Sequence, residues 1–226
     1  MLQAVIFDFD GVITDSEVLH LRSFNQVLSQ YGIRIETKVY YRDYLGLTDV
    51  DLFRVMIEKG LLKVDSTKIE ILLKQKKQAF EKLAKTEGRI IEGVRDFLQM
   101  LSQNSIKTAI CSGALLVEIE LILQEANLRS FFEVIVAADH VRKGKPNPEG
   151  FLLTLRKLNE KSQTQIPAGH CIVVEDSHWG LEAASAAKMH TIAVTNSYDA
   201  DQLKQAEKIV PQLDQLTITD LQQLCS

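Results

Sequence analysis

The stretch AVIFDFDGVITDSE, residues 4–17, decides the fold. Its first four residues, Ala4 to Phe7, are all apolar and read as a strand buried on both faces. Two acids, Asp8 and Asp10, follow directly, and Gly11 comes next. Like charges this close raise each other's pKa, and burying either one costs on the order of several kcal/mol unless something neutralises it. A cation or a reacting phosphoryl group would supply that neutralisation, so the rest of such a site should lie where other strands end.

Strand-like runs recur along the chain: SIKTAICS (105–112), FFEVIVAA (131–138), HCIVVED (170–176) and HTIAVTN (190–196). Helical periodicity fills the intervals. Val94, Phe97, Leu98 and Leu101 stand at i, i+3, i+4 and i+7; Leu115, Ile119, Ile122 and Ala126 form a second stripe, and Phe151, Leu152, Leu155 and Leu158 a third. Alternating strands and helices predict an α/β fold with a Rossmann-like parallel sheet and right-handed crossovers.

Residues 16–87 break the alternation and read as helices alone. One stripe runs Leu21, Phe24, Leu28, Tyr31 and closes at Gly32; a shorter helix spans about Leu52–Lys59 before Gly60; a longer one carries Ile69, Leu72, Leu73, Lys76, Phe80 and Leu83. The expected organisation is a discontinuous core, 1–15 with 88–226, carrying an inserted all-helical domain at 16–87.

Composition narrows the function. Of 226 residues, 46% are hydrophobic and 25% charged, as in ordinary globular domains. The net charge of −4 gives no basic surplus for nucleic acid, so an anionic substrate would need local positive charge. Three cysteines, Cys111, Cys171 and Cys225, show neither metal-finger spacing nor the even count of a disulfide framework. The first apolar run is short and ends on two aspartates, unlike a signal peptide, and no segment reaches the roughly 20 apolar residues of a membrane span. The expectation is a cytoplasmic protein without membrane or nucleic-acid partners, and a monomer, because no apolar stripe is left over.

In an open parallel sheet, ligands bind beyond the carboxyl ends of the strands. Asp8 and Asp10 fall there, as do Ser112-Gly113, Glu175-Asp176 and Lys145 in the basic loop VRKGKPNPEG (141–150). Asp8 and Asp176 with a backbone carbonyl offer the hard oxygens that Mg²⁺ prefers; Ser112 and the N–H groups opening the next helix suit phosphate oxygens; Lys145 adds a point charge. Each taken alone has a duller reading. An Asp after a strand caps a helix or makes a turn, Ser-Gly makes a turn, Lys143 competes with Lys145, and Glu175-Asp176 could cap the following helix. What those readings leave unexplained is why all four groups fall at carboxyl ends of strands in one sheet.

DFDGVITDS, CSG, KGKPNPEGF and VVEDSHWGLEAA are similar, in order and spacing, to the four motifs of the haloacid dehalogenase-like hydrolases, and the resemblance spans the chain. The nearest subgroup it resembles is β-phosphoglucomutase-like and phosphoglycolate-phosphatase-like, with a small helical cap between the first two motifs. The resemblance implies Asp8 as the nucleophile that takes the phosphoryl group and Asp10 as acid and base, its carbonyl joining the metal. It implies Ser112, Gly113 and Lys145 as phosphate-binding, and Asp176 completing a Mg²⁺ shell with Asp8 and Asp10, with Glu175 either a further ligand or a partner just outside that shell. An acid at Asp10 points to phosphoryl transfer, since a departing halide needs no proton.

In the cap, Ser16 and His20 match positions that couple closure to catalysis in β-phosphoglucomutase, although His20 also reads as a partly buried helix histidine. Where the mutase has a lysine before the cap-loop glycine and an arginine three residues after, this chain has Leu45 before Gly46, and Asp49. The expectation is therefore a Mg²⁺-dependent phosphatase of a small phosphorylated metabolite. A β-phosphoglucomutase-type mutase is the alternative, and a phosphonate hydrolase using Lys38, Lys59 or Lys63 is third. Trp179 is expected to pack the start of its helix, and Lys188 stands where such chains carry a glycine.

Overall fold

The computed structural model describes residues 1–45, 47–162 and 164–225. Its elements run β1 (Ala4–Phe7), α1 (Glu17–Leu28), α2 (Thr37–Asp43), α3 (Asp49–Glu58), α4 (Ile69–Glu87), α5 (Val94–Gln103), β2 (Lys107–Cys111) and α6 (Leu116–Glu125). Then come β3 (Val134–Val136), α7 (Glu149–Glu160), β4 (Cys171–Glu175), α8 (His178–Ala186), β5 (His190–Val194), β6 (Lys208–Val210) and α9 (Ile218–Leu224). The chain divides into two compact units, Met1–Asp15 with Arg89–Ser226, and Ser16–Gly88.

The first unit carries a sheet of order β3-β2-β1-β4-β5-β6, every pair parallel. β1 lies at its centre, so the whole Ala4–Phe7 run is buried on both faces. Alternate residues serve opposite faces. Ala4, Ile6, Ala109, Cys111, Val134, Val136, Cys171 and Val173 pack with Phe151 and Leu158 of α7 and Ala183 and Ala184 of α8. Phe7 meets Phe97 of α5 and Phe132 edge-on, each with ring centroids 6.0 Å away. The strand order reverses direction between β1 and β4, and that switch point is where such sheets open a crevice at their carboxyl ends.

β6 is a sixth strand that the sequence does not announce: it is three residues long, and only Val210 is fully buried. Two helical stripes also turn out differently. Leu115 precedes α6 and is exposed, while Ile119, Ile122 and Leu123 form its buried face. Leu152 of α7 is exposed, and Thr154 takes the inward position between Phe151 and Leu158. Lys188 adopts φ 59°, a left-handed residue ending α8 where a glycine would be relaxed.

In the second unit α1 and α4 lie along each other. Leu21, Phe24, Leu28, Tyr40, Leu52, Phe53, Met56 and Leu72 make its core. Tyr31, the last residue of the expected α1 stripe, is exposed, and Gly32 reverses the chain at φ 67°. α2, too short for a periodic signal, is held by the buried Tyr40, whose hydroxyl donates to Glu17 at 2.7 Å.

Candidate active site

The DFDG stretch leaves β1 through a tight turn. The Asp8 N–H still follows the sheet, donating to the Val174 carbonyl at 2.9 Å. Phe9 then folds the chain back, its carbonyl accepting from the Ile13 and Thr14 N–H groups at 2.8 and 3.1 Å. Gly11 sits at φ 77°, and a Cβ there would fall 1.7 Å from Oδ2 of Asp176. Glycine is therefore required twice over, for the backbone angle and for the carboxylate beside it.

Asp8, Glu175 and Asp176 are buried together, one carboxylate oxygen of each lying within 4.8 Å of the others. Lys145 answers them, its Nζ donating to Asp8 Oδ1 and to Glu175 Oε1, both at 2.5 Å. When all three carboxylates are ionised, the one ammonium leaves two negative charges, which a divalent cation would balance. Burial pushes the Asp8 carboxyl up to about 7; Lys145 opposes this, while the charges of Glu175 and Asp10 reinforce it. Burial, then the charges of Asp8 and Glu175, push Asp176 up to about 8. Burial alone would pull the Lys145 ammonium toward neutrality, but Asp8 and Glu175 outweigh it, so its pKa rises above the usual lysine range.

The loop carrying Lys145 is fixed from the start of α7. The Glu149 carboxylate accepts the N–H groups of Arg142 at 2.9 Å and Lys143 at 3.2 Å, and Asn147 Oδ1 accepts from the Glu149 N–H at 3.0 Å. Gly150 lets the helix pass Cys111, whose Sγ would lie 2.7 Å from a Cβ there. The Lys145 ammonium stands 5.3 Å over the Phe151 ring. Lys143, the competing lysine, is exposed.

Glu175 and Asp176 do not cap α8. Ser177 does, its Oγ accepting the Gly180 N–H at 3.1 Å. The same hydroxyl donates to Glu175 Oε2 at 2.9 Å, and the Asp176 and Ser177 N–H groups donate to that oxygen, each at 3.2 Å. A Cβ on Gly180 would sit 1.9 Å from the Glu175 carboxylate, so that glycine makes room for the acid. Ser112, buried after β2, accepts the Ala114 N–H at 3.0 Å, leaving its own proton to donate. Gly113 is exposed, and a Cβ there would meet open space. Asp10, half-buried, bridges to Thr14 in the turn.

Two residues that sequence reasoning missed close the other side. Ser197, after β5, donates to Oδ2 of Asp176, and Asn196 Nδ2 donates to the Gly11 carbonyl at 2.6 Å. Neither carries a local signal, because Ser197 lies 21 residues from Asp176 and Asn196 185 residues from Gly11, and each meets its partner only through the sheet. Trp179 packs at the start of α8 without being buried there. It is 44% exposed and rests on His178 and Tyr198, with ring centroids 4.0 Å between His178 and Trp179 and 6.2 Å between Trp179 and Tyr198.

In the helical unit, Ser16 is buried and precedes α1, its carbonyl accepting the His20 N–H at 2.9 Å. His20 stacks on Phe80 with 4.3 Å between ring centroids. Lys76, 0% exposed, donates from Nζ to His20 Nδ1 at 2.7 Å and to Asp49 Oδ1 at 2.8 Å. Burial, and then the Lys76 charge, hold the His20 imidazole well below its ordinary pKa, so it accepts as a neutral ring. Asp49 is thus committed to a cation of its own unit. Lys38, Lys59 and Lys63 are all exposed. The buried lysine was visible as a charged residue within the α4 stripe. Gly46 lies outside the described residues.

Residues 5–194 match the haloacid dehalogenase-like hydrolase family, well over half of the chain. The chain belongs to the haloacid dehalogenase-like hydrolases. It is 31% identical over 193 residues to a phosphorylated carbohydrates phosphatase of Thermotoga maritima, covering 84% of each chain. It is 32% identical over 220 residues to the chloroplastic 5-amino-6-(5-phospho-D-ribitylamino)uracil phosphatase of Arabidopsis thaliana, covering 97% of this chain and 57% of that one. Among solved structures, CbbY from Rhodobacter sphaeroides in complex with phosphate superposes with a TM-score of 0.84 at 22% identity, covering 98% of this chain and 100% of that one, a likeness of fold. Among the described residues, no helix is long and apolar enough to cross a membrane.

Proposed function

We propose that this hydrolase is a Mg²⁺-dependent phosphatase that cleaves the phosphate ester of a small, sugar-type metabolite through an aspartyl-phosphate on Asp8. The observation that carries the reading is the buried trio Asp8, Glu175 and Asp176 with Lys145 as its counter-charge, at the switch point of the sheet. Hard carboxylate oxygens, which when ionised exceed the Lys145 charge by two, fit Mg²⁺, which Asp8, Asp176 and Glu175 would hold together with the Asp10 carbonyl. When bound, the cation supplies positive charge that favours ionised carboxylates and screens the phosphate dianion.

The chain's own residues perform the chemistry. The Asp8 carboxylate attacks phosphorus, forming an O–P bond as the ester P–O bond breaks, and the departing alkoxide takes a proton from Asp10. Lys145 and the free proton of Ser112 hold phosphoryl oxygens as charge builds on them. Water then attacks the acylphosphate at phosphorus while Asp10 takes its proton, and inorganic phosphate leaves with Asp8 restored. Hydrolysis is preferred over phosphomutation because the Thermotoga and Arabidopsis relatives carry phosphatase names and Asp49 is occupied by Lys76.

The test is inorganic phosphate release from sugar phosphates, phosphoglycolate, nucleoside monophosphates and an aryl phosphate, with Mg²⁺ and with a chelator. Release that needs the cation, is greatest for a sugar-type ester and falls by at least about a thousandfold in Asp8→Asn is expected. Wild-type turnover in Asp8→Asn would overturn the nucleophile, and Mg²⁺-independent release would overturn the cation.

A further inference from the structure

The loop after β5 grips the acid cluster at two points. Ser197 donates its hydroxyl to Oδ2 of Asp176, and Asn196 donates to the carbonyl of Gly11, the glycine that lies directly against that same carboxylate oxygen. The next residue, Tyr198, meets His178 edge-on at 5.2 Å and Trp179 at 6.2 Å, both at the start of α8 just past the acids. A further bond ties this side together, from Gln205 Nε2 to the His178 carbonyl at 2.6 Å. The two loops that flank Asp176 are therefore joined by rings, while a hydroxyl at their centre reaches the carboxylate.

Glu175 is held in the same manner by the Ser177 hydroxyl and two N–H groups. On Asp176, it is the Ser197 hydroxyl that donates to Oδ2. A carboxylate on a strand end rotates about its last bond unless a donor fixes it, and outer-shell donors of this kind typically change cation affinity 10- to 100-fold. We propose that Ser197 is a positioning residue that fixes the rotation of the Asp176 carboxylate for cation binding, with Tyr198 bracing its loop against α8. The assignment rests on the cation reading given above.

The test uses the full chain and Mn²⁺ as the probe, its binding measured by calorimetry and by the electron-spin signal of free Mn²⁺. Ser197→Ala should weaken Mn²⁺ binding at least about tenfold, and Ser197→Thr, which keeps the hydroxyl, should restore it. Both are checked for wild-type circular dichroism and Trp179 fluorescence. Ser197→Cys, similar in size and a weak donor, gives the same reading should the alanine variant not fold. Wild-type affinity in a folded Ala or Cys variant, or equal weakening in Ala and Thr, would overturn the positioning role while leaving the cation reading intact. Failure of the wild-type protein to bind Mn²⁺ would overturn both.

Discussion

Asp176→Asn should abolish activity and yet stabilise the cation-free protein at alkaline pH. In the unfolded chain this carboxyl ionises near 3.8, whereas in the native protein burial and then the charges of Asp8 and Glu175 hold it protonated to about 8. Between those values the native state binds the extra proton, so stability declines as pH rises from about 4 and levels off above about 8. At about 1.4 kcal/mol per pH unit the displacement corresponds to an upper bound of about 6 kcal/mol. Relaxation around a coupled cluster reduces this, and about 3 kcal/mol is the expected gain in the variant at pH ~8.5. Asn keeps the shape and still accepts the Ser197 hydroxyl, so the change removes charge alone. Urea unfolding with a chelator, at several pH values from ~5 to ~8.5, measures it through Trp179, the single tryptophan of the chain, which lies in the same unit as the acids. Groups remote from the cluster cancel in the comparison. Mg²⁺ should restore the wild type at high pH and help the variant much less. Identical pH slopes in the two proteins, or a cation-free wild type most stable at high pH, would refute the reasoning.

Other perturbations probe separate links. Lys76→Met keeps the length of the buried side chain but leaves Asp49 and His20 without their donor; Asp49 is 31% exposed and partly regains water, so a loss of about 2–3 kcal/mol is expected in chemical denaturation of the helical unit. Gly11→Ala would put a methyl carbon 1.7 Å from Asp176 Oδ2, and phosphate release should fall below detection even in protein that retains its circular dichroism spectrum. Lys188→Gly relieves the residue at φ 59° outside the site, and should raise stability by about 1 kcal/mol with unchanged turnover.

Much of this protein is legible in short stretches because the controlling physics is local. Four apolar residues ending on Asp-Phe-Asp-Gly suffice to make a doubly buried strand with acids at its carboxyl end, and Gly11 is forced by its own backbone angle and by the carboxylate it meets. The basic loop likewise contains its own fastenings, with Asn147 and Glu149 bonding within a few residues of Lys145. β6 escaped notice because a three-residue edge strand with one fully buried side chain has too little pattern to see.

The sequence by itself determined which groups stand at the strand ends, since a run of apolar residues and the acid that terminates it are neighbours in the chain. The tertiary structure alone decided what those groups touch. Ser197 reaches Asp176 only because β5 lies beside β4, and Lys76 finds His20 and Asp49 only because α4 packs along α1. Hydrogen bonds and ion pairs act over about 3 Å in space, and the sequence distance between their partners, 21 residues for Ser197 and 56 for His20, leaves no trace in either neighbourhood.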